Sequence, residues 1–255
     1  MKKIYIVPNI VTTANMFCGF YSIIASIQQN YVGAAWAIVA AAVFDMLDGR
    51  IARLAKATSL FGVEYDSLSD LVSFGLAPSI LLYKWQLEPY GRPGIFAAFF
   101  YTACGALRLA RFNINTSLIP KSYFQGLPIP VAAGMIATYL LFVESIDFQF
   151  LNWNLPHAEI AIAFSLGLAS LMVSTIRFPS MKEFHWKSKA SFGYLLIGVL
   201  MMILIAVKPE VALFFVILSY ISFSLVWNFF RVLFEKKTTQ LTNISHEHRS
   251  HGQGD

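Results

Sequence analysis

Charge is scarce in this sequence. Asp, Glu, Lys and Arg make up 13% of its 255 residues, where an average soluble domain holds roughly 25%. So few charges cannot dress the surface of a water-soluble fold, and a disordered chain, which needs high polarity, is excluded with it. Cysteine is almost missing. Cys18 and Cys104 are the only two, both inside apolar runs, and they read as small core residues rather than a disulfide. Internal repeats and long polar linkers are missing too, so nothing divides the chain into separate domains. The net charge of +5 and a pI near 9.2 do not indicate nucleic acid, because such a binder presents its basic face on a soluble module.

Apolar residues fill the space that charge leaves. They make up 57% of the chain, and the mean hydropathy is +0.60. A hydrocarbon core about 30 Å thick is crossed by around 20 apolar residues in a helix. About eight stretches qualify, at 9–28, 31–54, 67–86, 94–113, 128–145, 158–176, 192–207 and 211–234. Breakers such as Pro93-Gly94, Gly126-Leu127-Pro128 and Lys208-Pro209 mark the joints. The expected fold is an all-α integral membrane bundle over residues 1–235. A polar tail at 236–255 is expected to be unstructured, and its histidines, His246, His248 and His251, read as solvated.

The cations orient the bundle. With the N-terminus inside, sixteen of the 19 Lys and Arg fall on the inner side, among them Lys2, Lys3, Arg50, Arg53, Arg108 and Arg111. Lys84, Arg92 and Lys208 are the three outside. That asymmetry is the positive-inside pattern, and it places both termini in the cytoplasm.

Against this background the acids are out of place. Five of the 14 lie between Asp45 and Asp70. Asp45 and Asp48 are three apart near the inner end of the second span; Asp66 and Asp70 are four apart at the start of the third. Each pair shares one helical face, and the short connection brings the two faces together. Converging carboxylates repel unless a hard cation sits between them. Oxygen-only ligation suits Mg²⁺, Mn²⁺ or Ca²⁺, and paired ions of this kind can clamp a diphosphate. A salt-bridge cluster with Arg50, Arg53 and Lys56 is the plainer alternative.

The residues Asp45, Asp48, Gly49, Ala52 and Arg53, then eight positions, then Gly62, Asp66 and Asp70 resemble the signature of the CDP-alcohol phosphotransferases, D-x-x-D-G-x-x-A-R … G-x-x-x-D-x-x-x-D. All eight fixed positions are met. At roughly one in twenty per position, chance agreement is on the order of 10⁻¹⁰ per start site. Pro8-Asn9, Thr12, Asn15, Cys18-Gly19, Leu107-Arg108 to Asn113 and Gly126-Leu127-Pro128 are similar to the bacterial members that use L-serine. The resemblance covers about the first 140 residues. It implies a membrane enzyme in which an alcohol displaces CMP from CDP-diacylglycerol. It also implies two divalent ions, Mg²⁺ or Mn²⁺, held by Asp45, Asp48, Asp66 and Asp70, with Asp70 as general base, and a homodimer in the cytoplasmic (inner) membrane with the site facing the cytoplasm.

The residue chemistry agrees. Gly49, Ala52 and Gly62 keep the helix faces shallow, so a nucleotide can approach, and Arg53 offers a fork to phosphate. Tight helix packing is the alternative for the glycines. Asn9, Thr12 and Ser59 lie where they could touch the nucleotide, though helix caps use the same residue types. Serine's carboxylate needs a cation, and Arg108 and Arg111, with Asn113, are placed for it unless they are only inner-side anchors. Other acceptors, such as glycerol 3-phosphate, inositol phosphate or choline, keep the same chemistry. A divalent-cation carrier is the reading from another class. It would place polar residues along both halves of the membrane, whereas these acids gather on one side.

Overall fold

A computed structural model describes residues 6–54, 59–115, 123–145, 157–179 and 207–251. The seventh apolar stretch, apart from Val207, lies outside the described residues, as do Lys2, Lys3, Lys56, Lys121, Lys182, Lys187 and Lys189.

The chain is a bundle of helices. α1 (Ile6–Ile27) and α2 (Tyr31–Leu54) form a tight antiparallel pair. Gln29 turns the chain with φ 63, and the Asn30 side chain then caps α2 by accepting from Gly33 N at 3.0 Å. The face of α2 with Ala34, Ala35, Ile38 and Ala41 is completely buried, because small side chains let the neighbouring backbones close in.

α3 (Leu60–Asp70) starts at Ser59, whose hydroxyl accepts from Gly62 N at 3.0 Å. It runs directly into a π-helical stretch (Leu71–Leu76), α4 (Ala77–Leu82), a second π-helical stretch (Tyr83–Leu87) and a 3₁₀ turn (Glu88–Tyr90). The wide π turn frees carbonyls. The Tyr101 hydroxyl donates to Phe74 O at 3.2 Å and the Thr102 hydroxyl to Gly75 O at 3.3 Å. Both donors come from α5 (Arg92–Asn115), whose lower end is pinned by the reciprocal pair of Asn113 and Ser67.

Two buried hydroxyls fasten α1 to this long helix: Ser69 donates to Thr12 O at 3.0 Å and Ser73 to Asn15 O at 2.9 Å. Gly19 makes the approach possible, since a Cβ there would meet Ser73 Cα at 2.6 Å.

α6 (Ile129–Ser145) is buried on nearly every side, from Ile129 to Leu141, which marks it as the centre of the bundle. α7 (His157–Val173) packs on α5, and α8 (Pro209–His251) packs on α6. No Gly or Pro interrupts residues 210–251, and the α8 backbone is helical through 236–251, the stretch expected to lack structure.

One short antiparallel pair departs from the all-helix expectation among the described residues: β1 (Tyr123–Gln125) with β2 (Arg177–Pro179). Gly126, at φ 75, ends β1 in a conformation only glycine adopts easily. A Cβ at that position would also meet Met172 O.

Among the described residues four helices are long and apolar enough to cross a bilayer: Pro8–Ile27, Tyr31–Leu54, Arg92–Ile114 and Pro209–Arg231. Their outer faces expose Phe17, Phe20, Phe96, Phe99, Trp227 and Phe230. So much exposed aromatic surface fits contact with lipid. The protein is a helical membrane protein.

Candidate active site

Asp45 and Asp48 project from the last turns of α2, and Asp66 from the second turn of α3. One carboxylate oxygen from each lies within 4.8 Å of the other two. Asp48 is 4% exposed, while Asp45 and Asp66 are half-buried. Two oxygens in this group, Asp48 Oδ2 and Asp66 Oδ1, are buried without a hydrogen-bond partner. The Thr12 hydroxyl donates to Pro8 O at 3.1 Å. Among the described residues the one ion pair is Lys84 with Glu88 at 2.6 Å. Among the described residues neither Arg50 nor Arg53 neutralises the acids, and Lys56, the third cation of the salt-bridge alternative, lies outside them. Converging carboxylates, two of which carry an unpartnered buried oxygen, fit a hard divalent cation.

Asp70 lies one helical turn beyond Asp66 and is outside this triad. It is 9% exposed, and its Oδ1 accepts from Asn15 Nδ2 at 3.2 Å.

A pocket opens beside the triad, with about 440 Å³ of empty space including its mouth. Its wall carries Asn9, Thr12, Asp48, Gly49, Ala52, Ser59, Gly62 and Asp66. Every residue named from the sequence for the nucleotide is therefore there, except Arg53, which is exposed at the end of α2. Gly49 faces open space: a Cβ built on it meets no atom of the described residues within 4 Å. Tight helix packing therefore does not explain that glycine. At Gly62 the nearest atoms to such a Cβ are Ser59 Oγ at 3.2 Å and Asn9 Oδ1 at 3.8 Å, so Ser59 serves both as helix cap and as pocket wall.

The cations at the end of α5 divide. Arg111 donates to four backbone carbonyls: Val173 O at 2.9 Å, Gln125 O at 3.1 Å, Ser174 O at 3.2 Å and Met172 O at 3.4 Å. It ties α5 to β1 and to the orphan carbonyls at the end of α7. Asn113 is hydrogen-bonded to Ser67. Arg108 is 7% exposed, and its Nε has no partner.

Val63 also lines the pocket, as does Pro8, which the sequence marks only as part of a motif; both are apolar, so no chemical signal assigns them to the wall. Asn15 had been noted only as part of a motif. Its spacing of three from Thr12, which puts both on one helical face, was the available clue.

A helical membrane scaffold with an acidic triad on the wall of a glycine-floored pocket defines a class. The family model for CDP-alcohol phosphatidyltransferase matches residues 5–176, and the chain belongs to this family. It is also 35% identical over 239 residues to a CDP-diacylglycerol–serine O-phosphatidyltransferase from Helicobacter pylori, covering 92% of this chain and 98% of the relative. The enzyme of that name from Bacillus subtilis is 38% identical over 178 residues, covering 69% of this chain and 92% of the relative. An archaetidylserine synthase from Methanothermobacter thermautotrophicus is 34% identical over 175 residues, covering 68% of this chain and 69% of the relative.

Proposed function

We infer that this protein transfers the phosphatidyl group of CDP-diacylglycerol to the hydroxyl of L-serine and releases CMP. The observation that carries the reading is the pocket, whose wall joins the signature glycines to two of the three converging aspartates. The relatives' names support the donor and the acceptor.

The serine oxygen attacks the phosphorus attached to diacylglycerol. A new P–O bond forms, the bond from that phosphorus to the bridging oxygen breaks, and CMP leaves with the electron pair. We assign the serine proton to Asp70, which Asn15 holds in place. Gly49, Ala52 and Gly62 admit the nucleotide, and Asn9, Thr12 and Ser59 line its path. Arg53, at the exposed end of α2, is placed to meet phosphate from outside the pocket. Asp45, Asp48 and Asp66 are the proposed ligands for Mg²⁺ or Mn²⁺, with Asp70 completing a two-ion set. When bound, such ions supply positive charge for the diphosphate oxygens. The family's dependence on divalent metal and the triad both support this assignment.

The asymmetry of Lys and Arg supports eight spans with both termini in the cytoplasm, in the inner membrane, and a site open to that side. We extend the membrane domain to residue 235, with 236–255 as a cytoplasmic tail, and propose a homodimer by analogy with the family.

The test uses purified protein with CDP-diacylglycerol and Mn²⁺ or Mg²⁺. Serine is expected to release CMP and yield phosphatidylserine, whereas glycerol 3-phosphate, inositol phosphate and choline are not. Release with one of those alcohols and not with serine would overturn the acceptor.

For the serine carboxylate we favour Arg108, because the donors of Arg111 are taken by carbonyls. Arg108→Gln is expected to raise the KM for serine at least about tenfold, a loss in line with one charge-assisted hydrogen bond. Arg111→Ala is expected to destabilise the fold by about 2–4 kcal/mol, since it leaves several carbonyls unpaired. Serine titrations and thermal melts on the two variants separate these roles. A higher serine KM with an unchanged melt in Arg111→Ala would return the carboxylate to Arg111.

A further inference from the structure

Below the pocket lie three polar groups, two of which carry atoms that no described residue satisfies. Asn15 is 0% exposed. A carboxylate can only accept, so the Asn15 nitrogen must be the atom facing Asp70. The amide is thereby fixed, and Oδ1 is left as a buried acceptor without a donor. Arg108, 7% exposed, has its Nε likewise unmet. Helix registers bring these groups to one depth. α5 runs antiparallel to the long helix, with Asn113 at Ser67 and Tyr101 at Phe74, which puts Arg108 level with Asp70. α1 is pinned at the same level by Ser69 on Thr12 O and Ser73 on Asn15 O.

We propose that Asn15 Oδ1 receives the ammonium group of the acceptor and so selects an amino acid over other alcohols. The inference rests on the serine reading above and deepens it. Serine carries a carboxylate, an ammonium and a hydroxyl on three adjoining carbons. Arg108, Asn15 and Asp70 offer, in that order, a cation, a bare acceptor and a base. Buried groups reject ligands that leave them unpaired. Glycerol 3-phosphate and inositol phosphate bring no ammonium to Asn15, and choline and ethanolamine bring no carboxylate to Arg108. Asn15 thus has two tasks: its nitrogen steadies Asp70 and its oxygen reads the acceptor.

The experiment compares L-serine with 3-hydroxypropionate, which is serine without its amine, as acceptors for CMP release from CDP-diacylglycerol. In the wild type kcat/KM is expected to favour serine by at least about 100-fold, the scale for a site built around one polar group. In Asn15→Ala that preference is expected to fall to within about threefold of unity, whatever loss the two substrates share through the missing bond to Asp70. A preference that stays at its wild-type value while both rates drop by one factor would reduce Asn15 to a residue that only positions Asp70 and would overturn the proposal. If Asn15→Ala does not fold, Asn15→Ser, which keeps a polar group on the same face, is read by the same ratio. A wild type that uses both acceptors equally also overturns the proposal, whereas one that releases no CMP with serine overturns the functional reading instead.

Discussion

Replacing Asp48 by Asn is expected to lower CMP release by at least about 10²–10³-fold, the scale at which a single charge-stabilising group in an active site acts. The variant should still fold. Asn fills the same volume, and in the metal-free protein it removes one of three like charges whose oxygens lie within 4.8 Å of one another. Among the described residues no Lys or Arg pairs with Asp48, so no ion pair there is lost with the charge. A second readout separates metal binding from chemistry. An ion that binds the folded state alone raises stability by RT ln(1 + [L]/Kd), about 2.7 kcal/mol at a hundredfold excess over Kd. Mn²⁺ should therefore raise the melting temperature of the wild type and fail to raise that of Asp48→Asn. A variant that keeps both the Mn²⁺ shift and its turnover would remove the aspartates from metal binding.

The second helix was legible to the residue. The apolar run at 31–54 coincides with α2, because Asn30 caps one end and the charges after Leu47 mark the other. The third was not. Hydropathy starts it at Ser67, yet the helix begins at Leu60, where the Ser59 cap closes its first turn. Hydropathy registers lipid contact, whereas a cap is a hydrogen bond, and the amphipathic turn between them has no apolar run to reveal it. The same difference governs the site. The spacing of three put Asp45 and Asp48 on the face of α2 that meets Asp66, whereas Asp70, four residues on, falls outside the triad. The occupation of Arg111 was hidden because its partners, the carbonyls of Gln125 and of residues 172–174, are far away in sequence and are backbone atoms. No side-chain pattern encodes such partners. Arg108, three residues earlier in the same motif, could not be told apart from Arg111 until the fold showed which of the two had its donors taken.

Gly49 offers the sharpest separation of stability from function. In a helix interior glycine costs roughly 0.5–1 kcal/mol relative to alanine, and at Gly49 no described atom stands within 4 Å of an added Cβ. Gly49→Ala should thus stabilise the protein by about that amount, a rise in melting temperature of roughly 1–4 °C for a chain of this size. Gly49→Leu, also a good helix former, should melt no lower than wild type. Catalysis should move the opposite way. The space beside Gly49 is the pocket itself, and a leucine there would fill the volume the nucleotide needs. The KM for CDP-diacylglycerol is expected to rise about tenfold in Gly49→Ala and kcat/KM to fall by more than about 100-fold in Gly49→Leu, because overfilling a close-packed contact forces atoms apart. Gly19→Leu supplies the contrast: its Cβ would meet backbone at 2.6 Å, so that variant should lose stability first and activity only as a consequence. Thermal melts and CDP-diacylglycerol titrations on the three variants decide the matter. A Gly49→Leu protein that binds donor normally would show that the nucleotide lies elsewhere.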